Sequence, residues 1–230
     1  MAVLYVVATP IGNLEDISLR ALRVLREVGL IAAEDTRKTR RLLNAYDIET
    51  PLTSYHEHTK ESKLDDLLCY VEKEDLALVS EAGTPGLSDP GYDLIVAAVE
   101  RRIPVVPIPG ASAAITALVV SGLATDQFVY VGFLPRRRGQ RQRLLGSIAD
   151  ESRTIVAFET PHRLSEALTD IEEVLGDRRL SVCRELTKMH EEIFRGRVSQ
   201  ARKHFVQPRG EFSLIIEGKT RAWLKLQERS

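Results

Sequence analysis

The chain of 230 residues is 43% hydrophobic and 28% charged, has a net charge of −1, and contains two cysteines, Cys69 and Cys183. These values suit an ordinary globular protein and exclude collagenous, low-complexity and disulfide-stapled chains. With no apolar run of about 18 residues and no basic segment ahead of a cleavage site in MAVLYVVATP, neither a membrane span nor a secretory leader is expected, and the protein is read as cytoplasmic.

In chain order, Val3–Ala8 reads as a buried strand, Ile17–Val28 as a helix with Leu19, Leu22 and Leu25 on one face, and Leu30–Ala33 as a second strand. Arg37–Tyr46 and Lys60–Glu72 read as helices, Asp75–Ser80 as a strand, Pro90–Arg101 as a helix and Val105–Ile108 as a strand. The alternation predicts a parallel sheet with helices on both faces and its strand C-termini along one edge, where ligands of such sheets bind.

From about residue 123 the rhythm changes. Gln127–Gly132 and Thr154–Phe158 read as strands, Arg136–Ala149 and Arg163–Leu175 as helices. The strand-like segments Leu180–Glu185, Glu191–Gly196 and Glu211–Glu217 follow at shorter intervals, with room for one short helix. Two α/β domains are therefore predicted: a mostly parallel one over residues 1–122 and a mixed one over residues 123–230.

Charge is divided between them. Residues 1–122 carry 12 Lys and Arg against 18 Asp and Glu, and residues 123–230 carry 20 against 15. Five arginines fall in RRRGQRQR at 136–143, and a second basic run spans Arg37, Lys38, Arg40 and Arg41. Each run reads either as a solvated helix face or as a phosphate-binding surface.

Three strand ends are followed by Pro/Gly loops: Thr9–Asn13, Glu81–Leu87 and Pro109–Ala113. Turns between strands and helices need such residues anyway, but three on one edge would also line a cleft with backbone groups. The acids Glu81 and Asp89 and the absence of a following Gly-Lys-Ser/Thr argue against a triphosphate. A nucleoside-like ligand held by main-chain groups fits better.

Eight segments in order, LYVVATPIGNLEDISLRAL, AEDTRKTRRLL, SYHEHT, VSEAGTPGLSDPGYDL, PIPGASAAITAL, FVYVGFLPR, FETPHRL and RELTKMHEE, resemble the tetrapyrrole methylase family, within it the branch acting on small-subunit ribosomal RNA. The resemblance implies two α/β domains with a cofactor cleft between them, S-adenosylmethionine (SAM) as cofactor, and a homodimer. It also implies methylation of a cytidine ribose 2′-hydroxyl in the decoding region of 16S rRNA, in the small ribosomal subunit.

Matched motif by motif, the resemblance implies cofactor contacts at Pro10, Ile11 and Gly12, at Ala82, Gly83, Thr84 and Leu87, at Ser112 and Ala113, and near Phe158, Leu186 and Thr187. Thr84 stands where tetrapyrrole enzymes carry an acid, so no role of that acid is transferred. The chain is also read as lacking the C-terminal helical extension of many members of the rRNA branch.

Displacement at a sulfonium needs alignment of the reacting atoms and no metal, and a ribose hydroxyl benefits from a base or from a cation beside the alkoxide. Glu81 is the candidate base, or else a carboxylate bonded to loop N–H groups. Lys188 is the candidate cation, or else a surface lysine. Arg37, Lys38, Arg40, Arg136, Arg137 and Arg138 are candidate phosphate contacts. His162 and Arg163 are too, unless they cap their helix, and Asp35 either pairs with Arg37 or positions RNA. His56 and His58 have no evident third ligand, so no metal site is expected. A methylase of a tetrapyrrole or other non-RNA substrate and a non-catalytic RNA-binding protein remain the alternative readings.

Overall fold

In the computed structural model, residues 2–56 and 61–219 are described, and the chain divides into two units, Met1–Ser112 and Ala113–Ser230. The first contains β1 (Leu4–Val7), α1 (Leu19–Glu27), β2 (Leu30–Ala33), α2 (Thr36–Ala45), β3 (Leu52–Ser54), α3 (Glu61–Val71), β4 (Leu76–Val79), α4 (Tyr92–Glu100) and β5 (Val105–Ile108). Its strands pair in the order β3-β2-β4-β1-β5, all parallel.

Strand alternation sends Val7, Ile31, Ala33, Ala77 and Val79 into one core with Leu22 and Leu25 of α1 and Leu43 of α2. Leu4, Ala32, Leu76 and Leu78 go to the other face, against Leu67 and Leu68 of α3 and Leu94 of α4. A strand covered on both sides reads as a continuous apolar run, as LALV of β4 does. Truncating Leu76 or Leu78, each 1% exposed or less, would cost about 2–5 kcal/mol.

Two helix starts are set locally. Ser18 Oγ accepts the Ala21 N–H at 3.1 Å, and the Asp35 carboxylate accepts the N–H groups of Arg37 at 2.8 Å and Lys38 at 3.2 Å. Strand β3, to which the sequence pattern assigned no element, is only three residues long and too short to display a period.

The second unit contains α5 (Ala113–Val120), β6 (Phe128–Phe133), α6 (Arg138–Ser147), β7 (Thr154–Glu159), α7 (Pro161–Leu175), β8 (Arg179–Arg184), β9 (Glu192–Arg197), α8 (Val198–His204) and β10 (Phe212–Ile216). The strand order is β6-β7-β10-β8-β9, with β6 and β7 parallel and the other pairs antiparallel. Its core joins Ile155, Ala157, Val182 and Leu214 of the sheet to Leu145 of α6, Leu164, Leu168 and Ile171 of α7, and Ala201 of α8. Helix α7 begins at Pro161, a residue pre-set for the first helical turn, and is followed by Gly176 at φ 82°.

Helix α5 packs on β10 and β7, so residues 113–122 go with the second sheet and not with the first domain expected from the sequence. The guanidinium of Arg195 holds it there, donating to Val120 O through Nε at 2.9 Å and Nη2 at 2.5 Å. The run AAITALVV is apolar all round, so no periodicity reveals either its helical form or the sheet it covers. Residues 113–122 carry no charged side chain, so the charge asymmetry of the two halves is unchanged.

Candidate functional site

In the first sheet β1 lies between β4 and β5, so parallel pairing sets the loops after these three strands side by side. Two loops are joined by reciprocal backbone hydrogen bonds, Thr9 N–H to Gly83 O at 2.9 Å and Gly83 N–H to Thr9 O at 3.0 Å. Gly83 has φ 81°, and a Cβ added to it would meet Ile11 Cγ2 at 3.4 Å and Ala111 O at 3.8 Å. The segments around Pro10–Gly12, Ala82–Thr84 and Pro109–Ser112 thus converge on one glycine. The glycine-rich stretch 82–91 also serves its own fold, since a Cβ on Gly91 would lie 2.9 Å from Leu78 Cδ2 and 3.2 Å from Gly86 N.

Beside this point Glu81 is exposed and its Oε1 contacts the Lys38 ammonium. The Glu81 N–H donates to Glu34 Oε2 at 3.0 Å. The N–H groups of Lys38 and Arg37 hold the Asp35 carboxyl below its ordinary range. The first turn of α2 is thereby tied to the loop after β4, and Arg37, 90% exposed, stays at the surface 3.7 Å from Asp35. Arg40 lies half-buried on the same helix. Glu34 is a member that sequence reasoning missed, although the acidic pair after β2 was its signal.

A cavity of about 740 Å³ lies elsewhere on this unit, lined by Tyr55, His56, Asp89, Tyr92, Asp93 and Glu100 among others. It touches the glycine-rich loop through Ser88–Gly91 but includes none of the residues expected to bind cofactor or substrate. His58 lies outside the described residues. Among the described residues no group of His, Cys, Asp and Glu is arranged to hold a metal, and no helix is long and apolar enough to cross a membrane.

In the second unit Phe158 on β7 makes edge-to-face contacts with Tyr130 at 5.4 Å and Phe133 at 5.5 Å between ring centres. Leu186 and Thr187 follow β8 in a turn where Glu185 and Thr187 have φ values of 50° and 64°. Lys188 Nζ donates to Glu185 Oε1 at 3.0 Å and Glu211 Oε2 at 2.7 Å. Burial opposes the Lys188 charge, but the two carboxylates outweigh it and raise the pKa. The lysine expected to face an alkoxide is therefore engaged by two carboxylates.

The arginine run 136–143 does not form one surface. Arg141 is fully buried and donates to Asp170 Oδ2 at 2.7 Å and to Pro135 O at 3.3 Å. Arg138 reaches Asp170 at 2.9 Å and Glu173 at 2.8 Å while remaining 62% exposed. Burial alone would raise the Asp170 carboxyl, but Arg138 and Arg141 outweigh it and hold it below its ordinary range. Arg136, Arg137 and Arg143 are exposed.

His162 is exposed at the start of α7, whereas Arg163 is committed to Glu159 Oε1 at 2.7 Å, Thr160 Oγ1 at 3.0 Å and Leu134 O at 3.1 Å. Glu159, 1% exposed, was not picked out from the sequence. Burial raises its pKa against the pull of the Thr160 N–H and Arg163, and its Oε2 has no hydrogen-bond partner among the described residues.

The fold recurs in known proteins. A relative in Halalkalibacterium halodurans named ribosomal RNA small subunit methyltransferase I is 51% identical over 94% of this chain and 75% of its own length. One of the same name in Thermotoga maritima is 48% identical over 95% and 100%. Among solved structures, diphthine synthase superposes with TM-score 0.77 at 13% identity, over 98% of this chain and 94% of that one. Uroporphyrin-III-C-methyltransferase from Thermus thermophilus does so with TM-score 0.68 at 19% identity, over 98% and 99%. The family model described as Tetrapyrrole (Corrin/Porphyrin) Methylases matches residues 3–202, so with these two sheets and converging loops the chain belongs to the tetrapyrrole methylase family.

Proposed function

We propose that the protein transfers a methyl group from SAM to the 2′-hydroxyl of a cytidine ribose in the decoding region of 16S rRNA, as a cytoplasmic homodimer. The observation that carries this reading is identity of 51% and 48% over nearly the whole chain to relatives named ribosomal RNA small subunit methyltransferase I.

The residues present suit the cofactor. Gly83 holds φ 81° where the loops after β1 and β5 pack against it at Ile11 and Ala111, and the carboxylate of Glu81 beside it is compatible with a cation. Pro10, Ile11, Gly12, Ala82, Gly83, Thr84, Leu87, Ser112 and Ala113 are the proposed contacts in and after the converging loops, and Phe158, Leu186 and Thr187 are the further contacts proposed from the family resemblance. When bound, SAM supplies a methyl group already activated on sulfonium.

The chain's own residues then align the ribose and move one proton. Lys38 holds Oε1 of Glu81. Oε2 is thus the proposed acceptor of the hydroxyl proton as the oxygen–carbon bond forms and the sulfur–carbon bond breaks. Exposed Arg37, Arg136, Arg137 and His162 contact backbone phosphates, with Arg40, Arg138 and Arg163 beside them. Cations on a chain otherwise near neutrality are the expected footprint of a local RNA contact.

Tritium transfer from labelled SAM to small ribosomal subunits lacking the modification, followed by alkaline hydrolysis, tests the reading. Ribose methylation blocks cleavage at its own linkage and leaves a labelled, resistant dinucleotide. A labelled mononucleotide would mean a base is methylated, and no label in RNA would mean a different acceptor or a non-catalytic protein.

A further inference from the structure

We propose that Glu185, Lys188 and Gly210 form a lock that holds Leu186 and Thr187 in a strained turn and so positions the Leu186 N–H for the cofactor. The identity of the ligand rests on the function proposed above; the lock itself rests on geometry. After β8 the chain turns sharply, with Glu185 at φ 50° and Thr187 at φ 64°. Left-handed backbone is uncommon outside glycine and persists where surroundings over-determine it, often at ligand clamps.

The surroundings here do so. The Glu185 N–H donates to Glu211 O at 3.0 Å, the Lys188 N–H to Glu185 O at 3.0 Å, and the Thr187 N–H to Glu191 Oε2 at 2.7 Å. The Glu185 carboxylate accepts the Glu211 N–H at 2.9 Å and the Lys188 ammonium at 3.0 Å, and that ammonium also reaches Glu211 Oε2 at 2.7 Å. Gly210 has φ 87°, and a Cβ there would lie 2.5 Å from Cγ and Cδ of Glu185. Glycine at 210 is what lets the glutamate lie across the turn.

One group is left over. The N–H groups of Glu185, Thr187 and Lys188 are all bonded, but that of Leu186 has no hydrogen-bond partner among the described residues, in a residue only 7% exposed. An unpaired N–H on a residue this little exposed is free to donate to a ligand that brings an acceptor. Burial works against the charge on both ionised members, yet their mutual contact and Glu211 outweigh it, lowering Glu185 and raising Lys188. Lys188 therefore keeps its proton and acts through the turn as a positioning residue, not on the reacting atoms.

The test uses the full chain with Lys188→Met, Lys188→Arg, Glu185→Gln and Gly210→Ala, measuring SAM dissociation by calorimetry, and kcat with KM for SAM and for small subunits. The lock predicts that Met, Gln and Ala each weaken SAM about tenfold in Kd and KM, the scale of one hydrogen bond, while kcat and the RNA KM stay within about twofold. Lys188→Arg should restore wild-type SAM affinity because it can keep both carboxylates. Thermal melts identify any variant that does not fold, and the Lys188 pair, on a side chain 31% exposed, then decides the matter alone.

Unchanged SAM affinity in Lys188→Met overturns the lock, as does Lys188→Arg binding no better than Met. A fall in kcat beyond about 100-fold with intact SAM affinity would place Lys188 on the reacting atoms instead. A wild-type chain that does not bind SAM removes the proposed function and the lock together, whereas a wild type that methylates RNA with variants unaffected removes the lock only.

Discussion

Arg141 and Asp170 form a buried ion pair, Nη2 to Oδ2 at 2.7 Å with side chains 1% and 2% exposed, inside a run that the sequence displays as surface arginine. Removing one member of such a pair leaves an uncompensated buried charge and costs about 3–5 kcal/mol. Arg141→Ala is expected to lose that much in urea unfolding, whereas Arg143→Ala, at an exposed site, should stay within about 0.5 kcal/mol. Equal losses for the two would show that the pair does not anchor α6 to α7.

The same partition redirects the test of RNA binding. Arg136, Arg137 and Arg143 are the exposed members of the run, while Arg138 also serves Asp170 and Glu173. Replacing those three with Ala should weaken RNA binding and reduce its salt slope by roughly 0.7 to 0.9 for each phosphate no longer neutralised, with SAM affinity preserved. A slope equal to wild type would make the exposed arginines a solvated face.

At Gly83 the backbone sits at φ 81° and is bonded to Thr9 in both directions. A branched residue there carries a left-handed penalty of about 1–2 kcal/mol and presses on Ile11 and Ala111 of the two neighbouring loops, displacing the proposed cofactor contacts. Gly83→Val should lose at least about tenfold in SAM affinity while its circular dichroism remains native, and Gly83→Ala should lose less. A folded Val variant binding SAM normally would move the cofactor away from these loops.

Glu81→Gln keeps the shape of the side chain and its place beside Lys38 but accepts no proton. The expected result is a fall in kcat of about 10²- to 10⁴-fold, the usual range for a general base, with SAM dissociation unchanged in calorimetry. Retained kcat would leave the carboxylate a purely structural part of the loop.

Burial raises the Glu159 pKa above its ordinary value of 4.5, so the native state binds this proton more tightly than the unfolded state. Stability contributed by that group is present below 4.5 and declines as pH rises from there through the native value. Glu159→Gln cannot ionise, so its stability relative to wild type should improve with rising pH across that window in urea titrations. A difference that is flat with pH would mean that Glu159 titrates normally. The depressed Glu185 has the opposite sign: its stabilisation is present at neutral pH and lost as acid protonates it.

The sequence by itself determined the elements whose pattern is local. Leu30–Ala33 and Val105–Ile108 are strands from end to end as read, because a short apolar run between turn residues has few other stable uses. Parallel pairing in the first unit followed from strands alternating with helices, and the three loops were marked by their Pro and Gly residues, while the strand order that sets them side by side was not. What only the tertiary structure decided is where a side chain's partner lies far along the chain. Arg141 meets Asp170 across 29 residues, Lys188 meets Glu211 across 23, and Arg195 ties α5 to the second sheet across 75. A charge is solvated or buried according to such partners, and neither composition nor period records them, so arginines alike in the sequence became a core anchor, an ion-paired rim and an exposed surface.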